Sequence, residues 1–340
     1  MNKIRSYIKG VGHNVPDRVV TNDELSKLMD TTDRWIVERT GIKERSFADE
    51  GVGPSDLAIP AVENALQDAN LSKDDIDLII FATISSDYYI PGAGCILQDK
   101  MGFDNIGAFD IKTSCAGFIY GISMADQYIK SGTFDNILLV CSEVQSTTMD
   151  LSDRGRNTAV IFGDGAGAIV LSSTTEDRGV LSTHLHSDGK NVKELWLKEP
   201  STKSSNRLSK ESIERGDHFL SMNGREVFRH AVKRFPETIN ESLEFNGLTS
   251  EDIDLLVPHQ ANLRISDMIQ KKMGLPDNKV FNNIQKYGNT TAASIPICLS
   301  EAKKEGRINS NDIVVCAAFG AGFLWGSTAV SYTHLTLPTN

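Results

Sequence analysis

The sequence predicts an α/β fold in which one structural unit occurs twice. Short apolar segments such as 76–84 (IDLIIFATI) alternate with helical patterns, as is typical of strands buried on both faces of a sheet. The segment 71–80 (LSKDDIDLII) recurs 177 residues later as 248–257 (LTSEDIDLLV). The helix and strand downstream of each copy also correspond, which favours a duplication over a chance match. At 340 residues, the chain is long enough for two such halves.

We expect the halves to span residues 1–175 and 176–330. The segment 188–216 is rich in Lys, Ser and Asn and is typical of a long surface excursion. The last residues, 331–340 (SYTHLTLPTN), carry no charge and continue no strand pattern. We interpret them as a non-native tail and exclude His334 from the candidate site.

Composition excludes several classes of function. Lys and Arg number 35 against 45 Asp and Glu, a net charge of −10, which disfavours nucleic-acid binding. The N-terminus lacks the apolar stretch of a signal peptide, and no apolar run is as long as a membrane span, so no membrane association is expected. The five cysteines form no C-x-x-C pair, which indicates reduced thiols in a cytoplasmic protein.

Local signals predict the individual elements along the chain. Thr21 and Glu24 have capping-box spacing, so a helix should begin there. The segment 163–168 (GDGAGA) resembles a phosphate loop, but a strand pattern follows it where that mechanism needs a helix, so we expect close backbone packing instead. His184 and His186 fall on one face of a strand as a possible metal pair. A structural role is favoured because no third ligand is evident.

Cys115 is a candidate nucleophile. Small residues and then an amphipathic helix follow it, and a helix N-terminus favours the thiolate. The alternative is an inert core cysteine. The repeat distance pairs Cys115 with Ala292, which also lies at a helix start. Ligands of open α/β sheets bind beyond the carboxyl ends of the strands, so we expect the site where the halves meet.

His259 and Asn289 are candidate partners of Cys115. His259 directly follows a predicted buried strand, and Asn289 precedes the helix start that contains Ala292. Either residue alone also fits a structural role, as a satisfied histidine or a helix cap. Together the three suit acyl chemistry, in which Cys forms a thioester while His and Asn donate hydrogen bonds to an enolate oxygen. A protease-like triad, with Asn orienting His as a base, is the alternative.

Basic residues cluster in two segments, the first of which follows helical spacing. They either form a patch that attracts an acidic partner or lie on solvated helix faces. These residues are Arg225, Arg229, Lys233 and Arg234 in one segment, and Arg264, Lys271 and Lys272 in the other.

The motifs around these candidates resemble those of the β-ketoacyl-acyl-carrier-protein synthase III family. The resemblance extends from about Lys3 to Val330, and it implies the thiolase fold, an internally duplicated five-layered αβαβα arrangement. The motifs are TSCAGF, VPHQAN, YGNTTAASIP, AFGAGFLWGS, DRWIVERTGI, DRG at 153–155, IFGDGAGA and MNGREVF.

The resemblance implies a two-stage reaction that initiates fatty acid biosynthesis. Cys115 accepts an acyl group from acyl-CoA. His259 and Asn289 then stabilise the enolate formed when malonyl-acyl-carrier protein loses carbon dioxide, and this carbanion attacks the acyl group. Backbone N–H groups of Cys115 and Ala321 form the oxyanion hole, and Phe228 orients the site. No metal or cofactor is implied, because acyl-CoA is a substrate.

The resemblance also implies how substrates and partners bind. Trp35 and Arg154 would sandwich the adenine of CoA, and Ile90 would reach across a homodimer into the partner's acyl pocket. Ala321 replaces a glycine common in the family, and Ile90 replaces a residue that is often aromatic. Residues expected along the CoA channel are Thr31, Arg39, Gly224 and Asn262. Those expected to dock the acyl carrier protein are Arg264, Arg229, Lys271 and Lys272.

Several rival functions stay open from the sequence. The nearest is a secondary-metabolite condensing enzyme of the same fold that uses another acyl primer. A Cys–His thioester hydrolase and a non-catalytic acyl-binding module are more distant. A degradative thiolase is disfavoured, because the segment after Cys316 lacks the C-x-G spacing of a second catalytic cysteine.

Overall fold

A computed structural model describes residues 4–332 of the chain. Its strands are β1 (Arg5–Asn14), β2 (Val19–Thr21), β3 (Glu44–Ser46), β4 (Leu78–Ala82), β5 (Gly107–Ile111), β6 (Asn136–Glu143), β7 (Gly165–Thr174), β8 (Gly179–Ser187), β9 (Leu195–Trp196), β10 (Ser221–Met222), β11 (Leu255–Pro258), β12 (Ile313–Gly320) and β13 (Leu324–Ser331). Its helices are α1 (Asn22–Leu25), α2 (Asp33–Thr40), α3 (Pro54–Ala69), α4 (Ala93–Met101), α5 (Gly117–Lys130), α6 (Arg156–Ala159), α7 (Lys210–Arg215), α8 (Gly224–Phe245), α9 (Leu263–Met273), α10 (Ile284–Tyr287) and α11 (Ser294–Lys304).

Two large sheets have matching strand order. The first runs β1-β7-β6-β4-β5, and the second runs β8-β13-β12-β11. Strand directions also match: β4 and β6 are parallel like β11 and β12, and the two outer pairs are antiparallel in both sheets. The second sheet lacks a full equivalent of β5, and an isolated bridge between Leu256 and Val280 stands in its place. The predicted duplicated α/β fold is confirmed, and the expected boundary at residue 175 lies between β7 and β8.

Local details recur at the predicted offset of 177 residues. Ser114 and Thr291 both have left-handed backbone, with φ of 50° and 49°. Because non-glycine residues rarely adopt this conformation, its presence before both α5 and α11 is strong evidence that the two turns are equivalent.

The five predicted layers follow from where the helices pack. Helices α5 and α11 lie between the two sheets, α3 and α4 cover the outer face of the first sheet, and α8 and α9 cover that of the second. The starts of the two central helices touch, since a Cβ at Gly117 would lie 2.9 Å from the Cβ atoms of Ala82 and Ala292. Glycine at this position therefore lets the two halves approach closely.

The segment expected to be a non-native tail, 331–340, begins within the last residues that the structure describes. Ser331 is the last residue of β13, where it pairs with Gly179 and Ile313. Tyr332 is 1% exposed and packs in the central core. The non-native origin of the segment stays a prediction. The rest of the expected tail, 333–340, lies outside the described residues.

Two further local expectations hold, those for the start of α1 and for the GDGAGA segment. Thr21 caps α1 by accepting a hydrogen bond from the N–H of Glu24, as the capping-box spacing predicts. The GDGAGA segment enters strand β7, which confirms close backbone packing in place of a phosphate loop. Among residues 4–332, no helix is both long enough and apolar enough to cross a membrane.

Candidate active site

A cavity of about 580 Å³ opens where the two halves meet. It brings together Cys115 from the first half with His259 and Asn289 from the second, three residues that the sequence analysis expected to converge. The predicted site residues that line it are Trp35, Arg39, Cys115, Gly224, Phe228, His259, Asn262, Arg264, Asn289 and Ala321.

Cys115 lies in a 3-10 turn, Ser114–Ala116, that leads directly into α5. The end of β12 packs closely against this turn, since a Cβ at Gly320 would lie 2.8 Å from the Cβ of Cys115. Glycine is needed at 320 because a Cβ has no room there. The neighbouring Ala321 was expected at the site as an oxyanion-hole donor. Gly320 belongs to the same AFGAGF motif but was not expected there.

The resting thiol of Cys115 is protonated. Burial, followed by the Glu143 carboxylate, raises its pKa to about 12, although N–H groups of Cys115 and Ala321 oppose the rise. Burial therefore outweighs the effect of the helix start, which was expected to favour the thiolate. The two amides that favour negative charge on the sulfur are those that the family resemblance implies as an oxyanion hole.

His259 is held as a neutral ring. It follows β11, and its backbone N–H donates to the carbonyl of Ala317 at 2.8 Å. Its Nδ1 lies 2.7 Å from the Oγ of Ser294, whereas its Nε2 has no hydrogen-bond partner among residues 4–332. Burial lowers the pKa of His259 to about 3. The ring therefore offers one uncharged nitrogen for a hydrogen bond to a bound molecule.

Asn289 is fixed by its own turn and by a neighbouring loop. Its N–H donates to the carbonyl of Ile161 at 2.8 Å, and its carbonyl accepts from the N–H of Gly163 at 3.1 Å. Its side-chain Oδ1 accepts from the N–H of Thr291 at 2.8 Å. Because the oxygen is engaged, the amide NH₂ is the end of the side chain left to donate elsewhere.

Aromatic and basic residues lie at one side of the cavity. The guanidinium carbons of Arg39 and Arg156 lie 4.3 and 5.0 Å from the ring centroid of Trp35. Asn262 joins the halves, because its side chain donates to the carbonyl of Arg39 at 3.0 Å while its Oδ1 caps α9. An indole beside guanidinium groups is suited to a ligand with a flat ring and negative charge.

Comparisons with known proteins identify the family. Residues 109–189 match the family profile described as 3-oxoacyl-[acyl-carrier-protein (ACP)] synthase III, and residues 243–332 match its C-terminal profile. A β-ketoacyl-[acyl-carrier-protein] synthase III of Clostridioides difficile is 46% identical over 329 residues, covering 97% of this chain and 99% of its own. The chain belongs to the β-ketoacyl-[acyl-carrier-protein] synthase III family.

Two further members support this assignment. The synthase III of Caldanaerobacter subterraneus is 44% identical over 331 residues, covering 97% of this chain and 99% of its own. A crystal structure of the 3-oxoacyl-[acyl-carrier-protein] synthase III from Aquifex aeolicus aligns with a TM-score of 0.88 at 40% identity, covering 96% of this chain and 100% of that one. The thiolase fold implied by the sequence motifs is therefore confirmed.

Arg154 makes no cation–π contact with Trp35 within residues 4–332, and its expected place across the CoA adenine from Trp35 stays a prediction. Its guanidinium pairs with Asp150 and lies 5.8 Å from the ring of Phe219, and its Nη1 donates to the carbonyl of Glu214 at 3.2 Å. Arg156, two residues further on, faces the indole instead. An adenine between Trp35 and Arg154 would separate the two side chains, so Arg156 is a further candidate for this subsite.

The other predicted site residues that do not line the cavity lie elsewhere on the described chain. Arg229 pairs with Glu226, Lys272 donates to the carbonyl of Val232 at 2.7 Å, and Lys271 is exposed. Thr31 is half-buried but does not reach the cavity, and Ile90 is 79% exposed in the single chain. The roles given to these residues stay predictions.

Glu143 is a buried carboxylic acid beside the active site, and it was not expected there from the sequence. Burial raises the pKa of its carboxyl, and bonds from Ser85, the N–H of Ile84 and Thr83 oppose that rise. Ile84 in turn lines the cavity. The sequence signal that could have found Glu143 is a charged residue two positions after the apolar run ILLVC. This strand end lies where the first sheet meets the other half.

His184 and His186, for which a structural role was favoured over metal binding, both lie against α8. Both ring systems contact one carboxylate of α8, Glu241, at 3.4 Å from His184 Nδ1 and 2.6 Å from His186 Nε2. Within residues 4–332, no three His, Cys, Asp or Glu side chains are grouped so that they hold a metal ion.

We expect His259 to make folding sensitive to acid. Its pKa falls from 6.5 to about 3 on folding, so between these values the unfolded chain binds a proton that the folded chain does not. Protonation of His259 in the unfolded chain therefore has no effect on the free energy of unfolding above pH 6.5. As the pH falls from 6.5 towards 3, it lowers this free energy by about 1.4 kcal/mol per pH unit. Urea unfolding of the wild type and His259→Asn between pH 7 and pH 5 measures this. Parallel pH dependences of the two proteins would contradict it.

Proposed function

We propose that this protein initiates fatty acid biosynthesis by condensing a short acyl group from acyl-CoA with malonyl-acyl-carrier protein. One observation carries the proposal: a buried thiol contacted by two backbone N–H groups shares a cavity with a neutral imidazole and an oriented carboxamide. This arrangement provides a nucleophile for an acyl group and donors for two different developing oxyanions.

The first stage is transfer of the acyl group to Cys115. The sulfur forms a bond to the thioester carbon, the bond from that carbon to the CoA sulfur breaks, and the thiol proton leaves with CoA. The N–H groups of Cys115 and Ala321 stabilise the oxyanion of the tetrahedral intermediate. One thioester is exchanged for another, so the free-energy change is small and this stage is readily reversible.

The second stage makes and uses a carbanion. His259 and Asn289 donate hydrogen bonds to the thioester oxygen of malonyl-acyl-carrier protein, which stabilises the enolate formed as carbon dioxide leaves. The enolate carbon attacks the acyl carbon on Cys115, and the bond from that carbon to the sulfur breaks. The released thiolate takes up a proton from solvent, which leaves the 3-oxoacyl-acyl-carrier protein and the free thiol. No strong base is needed, because breaking the carbon–carbon bond to carbon dioxide supplies the electron pair. The proposed reaction accordingly needs no cofactor or metal.

The hydrolase alternative is disfavoured by the partners of the side chains. A Cys–His hydrolase of the protease type needs the amide to orient the imidazole. Here Nδ1 of His259 contacts Ser294, and Oδ1 of Asn289 is taken by the N–H of Thr291. Each group is thus held separately, which suits two donors to one oxygen.

The proposal includes partners. Arg264 lines the cavity and is exposed, which makes it the best placed of the basic residues to meet an acidic carrier protein. Tyr88, Tyr89 and Ile90 form an exposed apolar segment, with Ile90 79% exposed, which supports a homodimer in which this segment is covered. A cytoplasmic location remains part of the proposal.

A direct assay tests this function. The purified protein, given acetyl-CoA or a series of other short acyl-CoAs together with malonyl-acyl-carrier protein, is expected to release carbon dioxide and form a 3-oxoacyl product. Acyl-CoA consumed without carbon dioxide, yielding free acid, would support hydrolysis instead. Absence of product with every short acyl-CoA would overturn the proposal.

Arg156, and not Arg154, is expected to bind the CoA nucleotide. Losing a guanidinium beside Trp35 removes about 1.4 kcal/mol of binding, so Arg156→Ala is expected to raise the KM for acyl-CoA about tenfold with little change in kcat. Arg154→Ala is the matched control and should change KM by less than about twofold. A larger effect of Arg154→Ala than of Arg156→Ala in steady-state kinetics would refute this assignment.

A further inference from the structure

Two serines on one helix each contact the Nδ1 atom of a histidine. On α11, Ser294 Oγ lies 2.7 Å from His259 Nδ1, and Ser300 Oγ lies 2.8 Å from His13 Nδ1. Both serines are buried. Only His259 lines the cavity, so the two pairs have the same chemistry in different places.

The surroundings of Ser294 determine the direction of its bond. Its Oγ accepts a hydrogen bond from the N–H of Gln260 at 3.3 Å. Among residues 4–332, Nδ1 of His259 is the one acceptor within reach of the hydroxyl proton. If the ring carried its proton on Nδ1, the buried hydroxyl would have no acceptor, which costs about 1–3 kcal/mol. The serine therefore donates to Nδ1.

We infer that Ser294 is a positioning residue that fixes His259 as the tautomer with its proton on Nε2. That nitrogen has no partner among the described residues and belongs to a ring that lines the cavity. Ser294 thus makes the imidazole a hydrogen-bond donor towards bound substrate. In the other tautomer, Nε2 would present a lone pair and would repel a developing enolate oxygen.

This inference rests on the proposed function and separates its two stages. Donation by His259 is needed when malonyl-acyl-carrier protein loses carbon dioxide. Transfer of an acyl group from CoA to Cys115 uses the N–H groups of Cys115 and Ala321 instead. A loss of tautomer control should therefore slow decarboxylation and leave acyl transfer intact.

Ser294→Ala tests this separation. Decarboxylation of malonyl-acyl-carrier protein is expected to fall on the order of 10- to 100-fold, below the ~10⁴-fold loss known when a catalytic histidine is locked in the wrong tautomer, because an unbonded ring still samples the correct one. Acylation of Cys115 by acyl-CoA, followed by mass spectrometry, should stay within about twofold. Ser294→Thr keeps the hydroxyl and should restore most of the decarboxylation.

Ser300→Ala is the matched control. It removes the same kind of serine–histidine bond from the same helix, and both stages should keep wild-type rates. Equal losses of both stages in Ser294→Ala, or equal effects of the two alanine variants on decarboxylation, would overturn the inference by revealing a merely structural role.

The tautomer itself is measurable without any variant of Ser294. Nitrogen-15 NMR of the wild-type protein, with His259 assigned from the spectrum of His259→Asn, should show a protonated Nε2 and an unprotonated Nδ1. The opposite pattern would overturn the inference even if the enzyme is active. A wild-type protein that shows the expected tautomer but never decarboxylates malonyl-acyl-carrier protein would instead overturn the proposed function.

Discussion

Replacing Cys115 with serine is expected to lower the rate of condensation by at least about 10⁴-fold, because removal of a nucleophile costs up to ~10⁶-fold in enzymes that form acyl intermediates. A hydroxyl is a far weaker nucleophile than a thiol, and an ester would be a poorer acyl donor to the carbanion than a thioester. Burial already raises the pKa of the thiol to about 12, so the site depends on the intrinsic reactivity of sulfur.

The measurement combines turnover with labelling by acyl-CoA. Intact-mass analysis should find one acyl group on the wild type and none on Cys115→Ser. Cys95→Ser is the control, because Cys95 is the exposed cysteine of the described chain and lies outside the cavity. Acylation that survives in Cys115→Ser but disappears in Cys95→Ser would show that the nucleophile was misassigned.

Changing Asn289 to aspartate is expected to reduce decarboxylation of malonyl-acyl-carrier protein by about 10²–10³-fold, as removal of one oxyanion donor does elsewhere. The carboxylate keeps the oxygen that accepts from the N–H of Thr291, so the turn is preserved. It loses the NH₂ donor and adds negative charge where an enolate must form.

The acyl-transfer stage is the internal control for Asn289→Asp. Labelling of Cys115 by acyl-CoA should proceed at a rate within about tenfold of the wild type, since the N–H groups that favour negative charge on the sulfur are those of Cys115 and Ala321. Decarboxylation at the wild-type rate in a variant that still accepts the acyl label would exclude Asn289 as a donor to the enolate.

The fold and the three central residues could be predicted because the repeat has a constant offset and the three residues lie next to strand ends and helix starts. The offset of 177 residues pairs Ser114 with Thr291, and the two share an uncommon backbone conformation. His259 was recognisable because it directly follows an apolar strand. Positions at strand ends and helix starts of an α/β fold converge, so the cavity could be anticipated without coordinates.

Features that depend on side-chain direction could not be predicted. Arg156 lies beside Trp35, whereas Arg154, two residues earlier, pairs with Asp150. The protonated state of Cys115 was also missed, because a helix start is visible in the sequence whereas burial and a carboxylate from β6 are not. Ser294 gave no local signal, since its partner lies 35 positions away.

A single-turnover experiment tests the central claim most directly, namely that one sulfur receives the acyl group and the facing imidazole and carboxamide then generate its attacker. The protein is loaded with one equivalent of acyl-CoA, the acyl group is located by peptide mass spectrometry, and malonyl-acyl-carrier protein is added. The label is expected on Cys115 and should disappear as one carbon dioxide is released for each 3-oxoacyl product. Carbon dioxide release that leaves the label on Cys115, or loss of the label as free acid, would contradict it.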